Sequence, residues 1–118
     1  MPQLHEIMKA LSDQSRLTIV QMLLLRQYCV GGLARTLKIS EAAVSQHLKV
    51  LKQVGIVLGT KRGYFVHYQV EKEALRSLAT LLLAFSEVEQ TGIGECQTRR
   101  QTTCTLCNEK HPNKEIAF

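Results

Sequence analysis

The chain has 118 residues, a formal charge of +5, four cysteines and no tryptophan, and 45% of it is hydrophobic. That suits one small domain with a mostly aliphatic core and argues against a large enzyme. No apolar run approaches the ~20 residues of a membrane span, and the opening MPQLHEIMKALSD lacks the basic-then-apolar layout of a secretory signal. The expectation is therefore a cytoplasmic protein with reduced thiols, neither membrane-bound nor a secreted disulfide scaffold.

Leu4, Ile7, Met8 and Leu11 fall at i, i+3, i+4 and i+7 and predict a short helix. Ser12 or Asp13 can cap a second one, carrying Leu17, Ile19, Val20, Leu23 and Leu24 and ending near Gln27 and Tyr28. A third covers about Val30–Leu37, and Lys38-Ile39-Ser40 reads as a tight link. Ser40 is a good N-cap for a fourth helix from Glu41 to about Val54, closed by Gly55. Its wheel gathers Val44, Leu48 and Leu51 on one face and Ala42, Ser45, Gln46, Lys49 and Gln53 on the other. The period then changes. Ile56–Leu58 and Tyr64–Val70 are β-prone and flank a basic tip, Gly59–Gly63, so a β-hairpin is expected. From Glu71 to about Gln90 a broad apolar stripe returns, with Leu75, Leu78, Leu82 and Phe85 at its centre. That breadth on a terminal helix predicts a dimer interface. Thr91-Gly92-Ile93-Gly94 breaks the pattern.

The charge is localised. Residues 35–62 hold Arg35, Lys38, Lys49, Lys52, Lys61 and Arg62 against Glu41 alone, which equals the net excess of the whole chain. A solvated face is the ordinary meaning of such a run. Here it coincides with two helices joined by a tight turn and followed by a basic hairpin, the layout of a winged helix-turn-helix. On that layout the fourth helix enters the major groove of double-stranded DNA. Ser45 and Gln46 can bond base edges and Ala42 can touch a thymine methyl. Lys49 and the amides near Ser40 can hold phosphates. Lys61 and Arg62 can reach adjacent phosphates or the minor groove. His47 sits beside Val44 and Leu51 on the wheel, so a packed, hydrogen-bonded role fits it better than base reading.

Three motifs carry a resemblance. Ala10-Leu11-Ser12-Asp13-Gln14-Ser15-Arg16-Leu17, the run from Ile39 to Leu51, and Lys61-Arg62-Gly63-Tyr64 through His67-Tyr68 occur in order. Together they resemble the ArsR/SmtB family of bacterial metal- and metalloid-responsive repressors over about residues 4–90. The resemblance implies a homodimer that sits on an operator and leaves it when an inducer binds.

The cysteines divide. The arsenic-sensing type often has Cys-Val-Cys at the start of the third helix; here the run is Cys29-Val30-Gly31-Gly32, so Cys29 reads as a small buried residue. The zinc-sensing type places Asp and His on the dimer helix, and residues 71–90 contain neither. Cys96, Cys104, Cys107 and His111 form C-x7-C-x2-C-x3-H. Three thiolates suit As(III) or Sb(III), and His111 as an optional fourth ligand would suit Zn(II) or Cd(II).

The expectation is thus a mainly α fold with a small β-hairpin, a winged helix-turn-helix that is dimeric through its terminal helices. Residues 1–90 would bind DNA and dimerise, and 91–118 would form a cysteine-containing, inducer-binding tail. The expected function is a DNA-binding repressor released by a thiophilic metalloid or metal, arsenite or antimonite favoured. Zinc or cadmium sensing, structural zinc and a thiol redox switch stand as alternatives on the same fold. A metal-buffering or protein-interaction module without DNA binding is the alternative from another class. No nucleophile–base pair, phosphate-binding glycine loop or paired carboxylates point to an enzyme.

Overall fold

The computed structural model describes residues 4–95. Within them the chain runs α1 (Leu4–Leu11), α2 (Gln14–Leu25), α3 (Val30–Leu37), α4 (Glu41–Gln53), β1 (Val57–Arg62), β2 (Phe65–Val70) and α5 (Lys72–Ser86). This is the expected mainly helical winged helix-turn-helix with one antiparallel hairpin. None of the described helices is long and apolar enough to cross a membrane. Two units divide the chain between Leu83 and Ala84, inside α5.

Local signals set most boundaries. Asp13 caps α2 by accepting the Arg16 N–H at 3.1 Å, and Ser40 caps α4 by accepting the Ala43 N–H at 3.1 Å. Lys38 closes α3 in the left-handed region at φ 58°, ψ 42°. A non-glycine residue pays about 1 kcal/mol for that conformation. Ile39 N–H donates back to the Ala34 carbonyl at 3.2 Å, so the link to α4 stays tight. α4 ends in a Schellman pattern. Gly55, at φ 79°, donates to the Lys52 carbonyl, and Ile56 donates to that of Leu51.

Three boundaries differ from expectation, each for a physical reason. α2 stops at Leu25 rather than near Gln27, because Arg26 turns extended and Tyr28 is drawn to the sheet. The Tyr68 N–H donates to the Tyr28 carbonyl at 2.8 Å. α5 stops at Ser86, short of Gln90. The carboxylates of Glu87 and Glu89 lie where the negative end of the helix dipole opposes them. The last turn closes with Glu87 N–H to Ala84 and Val88 N–H to Phe85.

The third correction concerns the hairpin. β1 continues through Arg62, so the tip is the two-residue turn Gly63-Tyr64 and not the loop 59–63. Gly63 has φ 63°, and among the described residues Lys38 is the one non-glycine with positive φ. A positive φ at the first central position alone is the type II′ arrangement, whose twist suits a tight hairpin. Gly59 instead lies mid-strand, opposite Tyr68. A Cβ there would sit 2.9 Å from Val66 Cγ1 and 3.0 Å from Tyr68 Cε1, so the absent side chain makes room for the tyrosine ring.

The core joins Ile19, Val20 and Leu23 of α2, Leu33 and Ala34 of α3, and Val44, Leu48 and Leu51 of α4. Ala10 closes one end, and Ile56, Val57 and Val70 at the hairpin base close another. Burying each of the larger aliphatic side chains contributes roughly 1.5–3 kcal/mol. α5 adds no buried side chain, although Ala74 and Leu75 pack partly against this core.

Candidate nucleic-acid interface

The core determines which side of α4 faces outward. Val44 and Leu51 are fully buried and Leu48 nearly so. The helical period therefore turns Ala42, Ser45, Gln46, Lys49, Lys52 and Gln53 to solvent. This exposed face carries two cations, and its acid, Glu41, lies in the first turn. The five residues that the wheel places together outside are all exposed. The Ser40 hydroxyl is already engaged by the Ala43 N–H. Any anion at this end would be received by the first amides of the helix rather than by the hydroxyl.

Lys52 was counted in the basic run but given no DNA contact from the sequence, yet it belongs to this face. Its ammonium lies 6.0 Å from the centroid of the Tyr68 ring, a cation–π distance. Ser45, Lys49, Lys52, Gln53 and Tyr68 line a groove of about 330 Å³ between α4 and the hairpin. The sequence signal was available, since Lys52 follows Lys49 by three positions. Its partner was not, because Tyr68 arrives through a non-local pairing. Lys61 and Arg62 are exposed at the outer end of β1. They are strand residues beside the turn and not part of it.

His47 is half-buried on the flank of α4. Its Nδ1 lies 3.4 Å from Arg16 Nη1 and 4.0 Å from Asp13 Oδ2. Arg16 also donates through Nε to the Ala10 carbonyl at 2.7 Å. The Ala10–Leu17 motif thus fastens the end of α1, the start of α2 and the middle of α4 to one another. The Arg16 backbone N–H, with further help from the charges of Arg16 and His47, holds the Asp13 carboxyl below its ordinary pKa. His67 on β2 is half-buried, and its Nδ1 is shielded without a hydrogen-bond partner.

Cys29 is half-exposed rather than buried, because it stands at the N-cap of α3. It makes no side-chain capping bond there. Among the described residues, no three of His, Cys, Asp or Glu gather closely enough to hold a metal ion. Cys96, Cys104, Cys107 and His111 lie outside the described residues.

Known proteins share this architecture. Residues 13–58 match the family described as "Bacterial regulatory protein, arsR family". The chain is 40% identical over 87 residues to the HTH-type transcriptional regulator Rv2034 of Mycobacterium tuberculosis, spanning 74% of this chain and 81% of that one. It is 38% identical over 66 residues to the arsenical resistance operon repressor of Escherichia coli, spanning 55% of this chain and 56% of the repressor. Among solved structures, the ArsR-like transcriptional regulator from Rhodococcus sp. RHA1 superposes with a TM-score of 0.67 at 29% identity. That match covers 70% of this chain and 78% of the other. The chain belongs to the arsR family of bacterial regulatory proteins, which are transcriptional regulators and not enzymes.

Proposed function

We propose that the protein is a cytoplasmic, homodimeric repressor that leaves its operator when a thiophilic metalloid or metal binds. The observation that carries the DNA half is the exposed, small and polar face of α4 beside a basic hairpin. In this reading Ser45 and Gln46 meet base edges, Ala42 a thymine methyl, and Lys49 and the helix start at Ser40 the phosphates. Lys61 and Arg62 hold the flanking backbone. The apolar faces of α1 and α5 favour the homodimer. Leu81, Leu82 and Leu83 are all exposed in the single chain, and Leu4, Ile7, Val54, Ala74, Leu78 and Leu81 line an apolar groove of about 290 Å³. Residues 1–90 then form the binding and dimerisation domain and 91–118 the sensing tail.

The sensing half rests on donor chemistry. Cys29 is one thiol at the start of α3 where a pair would be needed. Cys96, Cys104 and Cys107, with or without His111, supply a thiolate set suited to As(III) or Sb(III), or to Zn(II) or Cd(II) if His111 joins. Binding and release are linked, so the ion must bind more weakly to the operator-bound form. The test uses operator DNA selected from a random pool, reduced protein and gel shifts with each of the four ions. Release by As(III) or Sb(III), lost in a Cys104→Ser/Cys107→Ser variant, is the expected outcome. If no ion releases the DNA, the sensing half falls and the DNA half stands.

A further inference from the structure

Arg16 stands where local electrostatics oppose it. It lies in the first turn of α2, where the helix dipole favours an acid and disfavours a cation. A residue that breaks a local rule calls for a tertiary reason. Here the side chain is half-buried and reaches in two directions. Nε donates to the Ala10 carbonyl at 2.7 Å. That carbonyl belongs to the last turn of α1, whose carbonyls have no partner within their own helix. Nη1 meets His47 Nδ1, in the middle of α4, at 3.4 Å. A guanidinium only donates, so Nδ1 accepts and the ring proton sits on Nε2. One planar group thus joins the end of α1 to α4.

The packing around this group is apolar. Ala10 is the buried residue of α1, and Ile7 and Leu11 pack partly against the core. Apolar contact is non-directional, so it holds α1 near α4 without fixing their angle. The rigid fork of a guanidinium does fix it, because both bonds share one plane. His47 directly follows Gln46, and Ser45 and Lys49 lie two positions to either side, so its pose carries theirs. At the other arm, Leu4 and Ile7 of α1 line the apolar groove shared with α5.

Resting on the DNA and homodimer readings above, we propose that Arg16 is a positioning residue that fixes the angle between the dimer-forming α1 and the reading helix α4, and so sets the operator spacing that the dimer accepts. It acts through Ala10 and His47 and not through the DNA. In a two-fold dimer each α4 meets one half-site, and the half-sites lie about 34–36 Å apart, one turn of the duplex. A change in the α1–α4 angle occurs in both subunits by symmetry, so it displaces the two reading helices together. Without the clamp each α4 still binds its half-site, but the pair can follow half-sites that are wrongly spaced.

The test measures the affinity of the full chain for its selected operator and for versions with the half-sites one base pair closer or farther apart, each across salt concentrations. Wild type is expected to prefer the selected spacing. Arg16→Lys keeps the charge but not the fork, and is expected to reduce that preference about ten-fold with an unchanged salt slope. His47→Leu keeps the bulk but offers no acceptor, and gives the same loss. The double variant loses no more than either single one, because both remove the same interaction. His47→Asn retains most of the preference, since its side-chain oxygen accepts near the place of Nδ1. A merely structural Arg16 would instead weaken binding to all three spacings alike, and that result overturns the clamp. So does a wild type indifferent to spacing, an Arg16→Lys variant with the wild-type preference, or losses that add in the double variant. A salt slope lower by about 1 in Arg16→Lys also overturns it, because Arg16 would then hold a phosphate. In each of these cases the DNA reading stands if Lys49→Ala still weakens binding. Wild-type protein that binds no selected DNA overturns both.

Discussion

α4 and α5 are both amphipathic helices with one face in solvent, and they leave opposite faces there. α4 buries its aliphatic face completely and presents serine, glutamine, lysine and alanine. α5 buries none of its side chains and presents leucines, with Leu83 61% exposed. The first arrangement is complete within one chain and ready for a polar, anionic partner. The second is unfinished within one chain and calls for apolar cover. A helix's role here is therefore legible from which face the fold leaves uncovered, rather than from amphipathicity itself.

The contrast can be broken by substitution, beginning with the inner face of α4. Leu51→Ala should cost about 2–5 kcal/mol, read from the shift of the urea midpoint. Leu82→Glu on α5 should leave the monomer fold intact by circular dichroism. Sedimentation should show the dimer dissociation constant raised by roughly a hundred-fold, since the substitution would bury an unpaired charge. Were Leu82→Glu to unfold the chain and leave association unchanged, α5 would be a core helix and the contrast would be lost. On the outer face of α4, Lys49→Ala should weaken operator binding several-fold and reduce the salt slope by about 1. Ser40→Ala should cost about 1 kcal/mol through the lost cap, detectable as a lower urea midpoint.

The smallest effect depends on pH. Because the folded state depresses the Asp13 pKa, the charged carboxylate stabilises the fold fully above its ordinary value of 3.8. That contribution disappears as pH falls through the depressed folded value. Asp13→Asn keeps a cap acceptor but does not titrate. The stability difference between wild type and Asp13→Asn should be constant near neutrality and should change only below about pH 4, as followed by urea midpoints at a series of pH values.

Much of this was legible in the sequence where the information is local. The wheel of α4 separates Val44, Leu48 and Leu51 from Ala42, Ser45, Gln46 and Lys49 because a 3.6-residue period needs no knowledge of the rest of the fold. Ser40 and Gly55 mark its ends for the same reason. Gly59 misled because a glycine near basic residues looks like a turn. Its actual role, room for the Tyr68 ring, depends on a pairing nine residues away. The Tyr28–Tyr68 bridge that shortens α2, and the seat of Lys52 over Tyr68, were hidden by the same non-locality. His47 was placed correctly off the polar face. That Arg16 and Asp13 would be its neighbours required the packing of α2 against α4.

Ile56 has a consequence for motion. It is fully buried, donates to the Leu51 carbonyl at the end of α4, and accepts the Glu71 N–H at 2.8 Å beyond the end of β2. One residue therefore acts as a rivet through the end of the helix, the root of the hairpin and the chain leading into α5. The angle between α4 and the wing cannot open without breaking two backbone hydrogen bonds and exposing that side chain. The helix and the wing travel as a single casting. On the proposed function, any change that moved the end of α4 would carry the root of the hairpin with it.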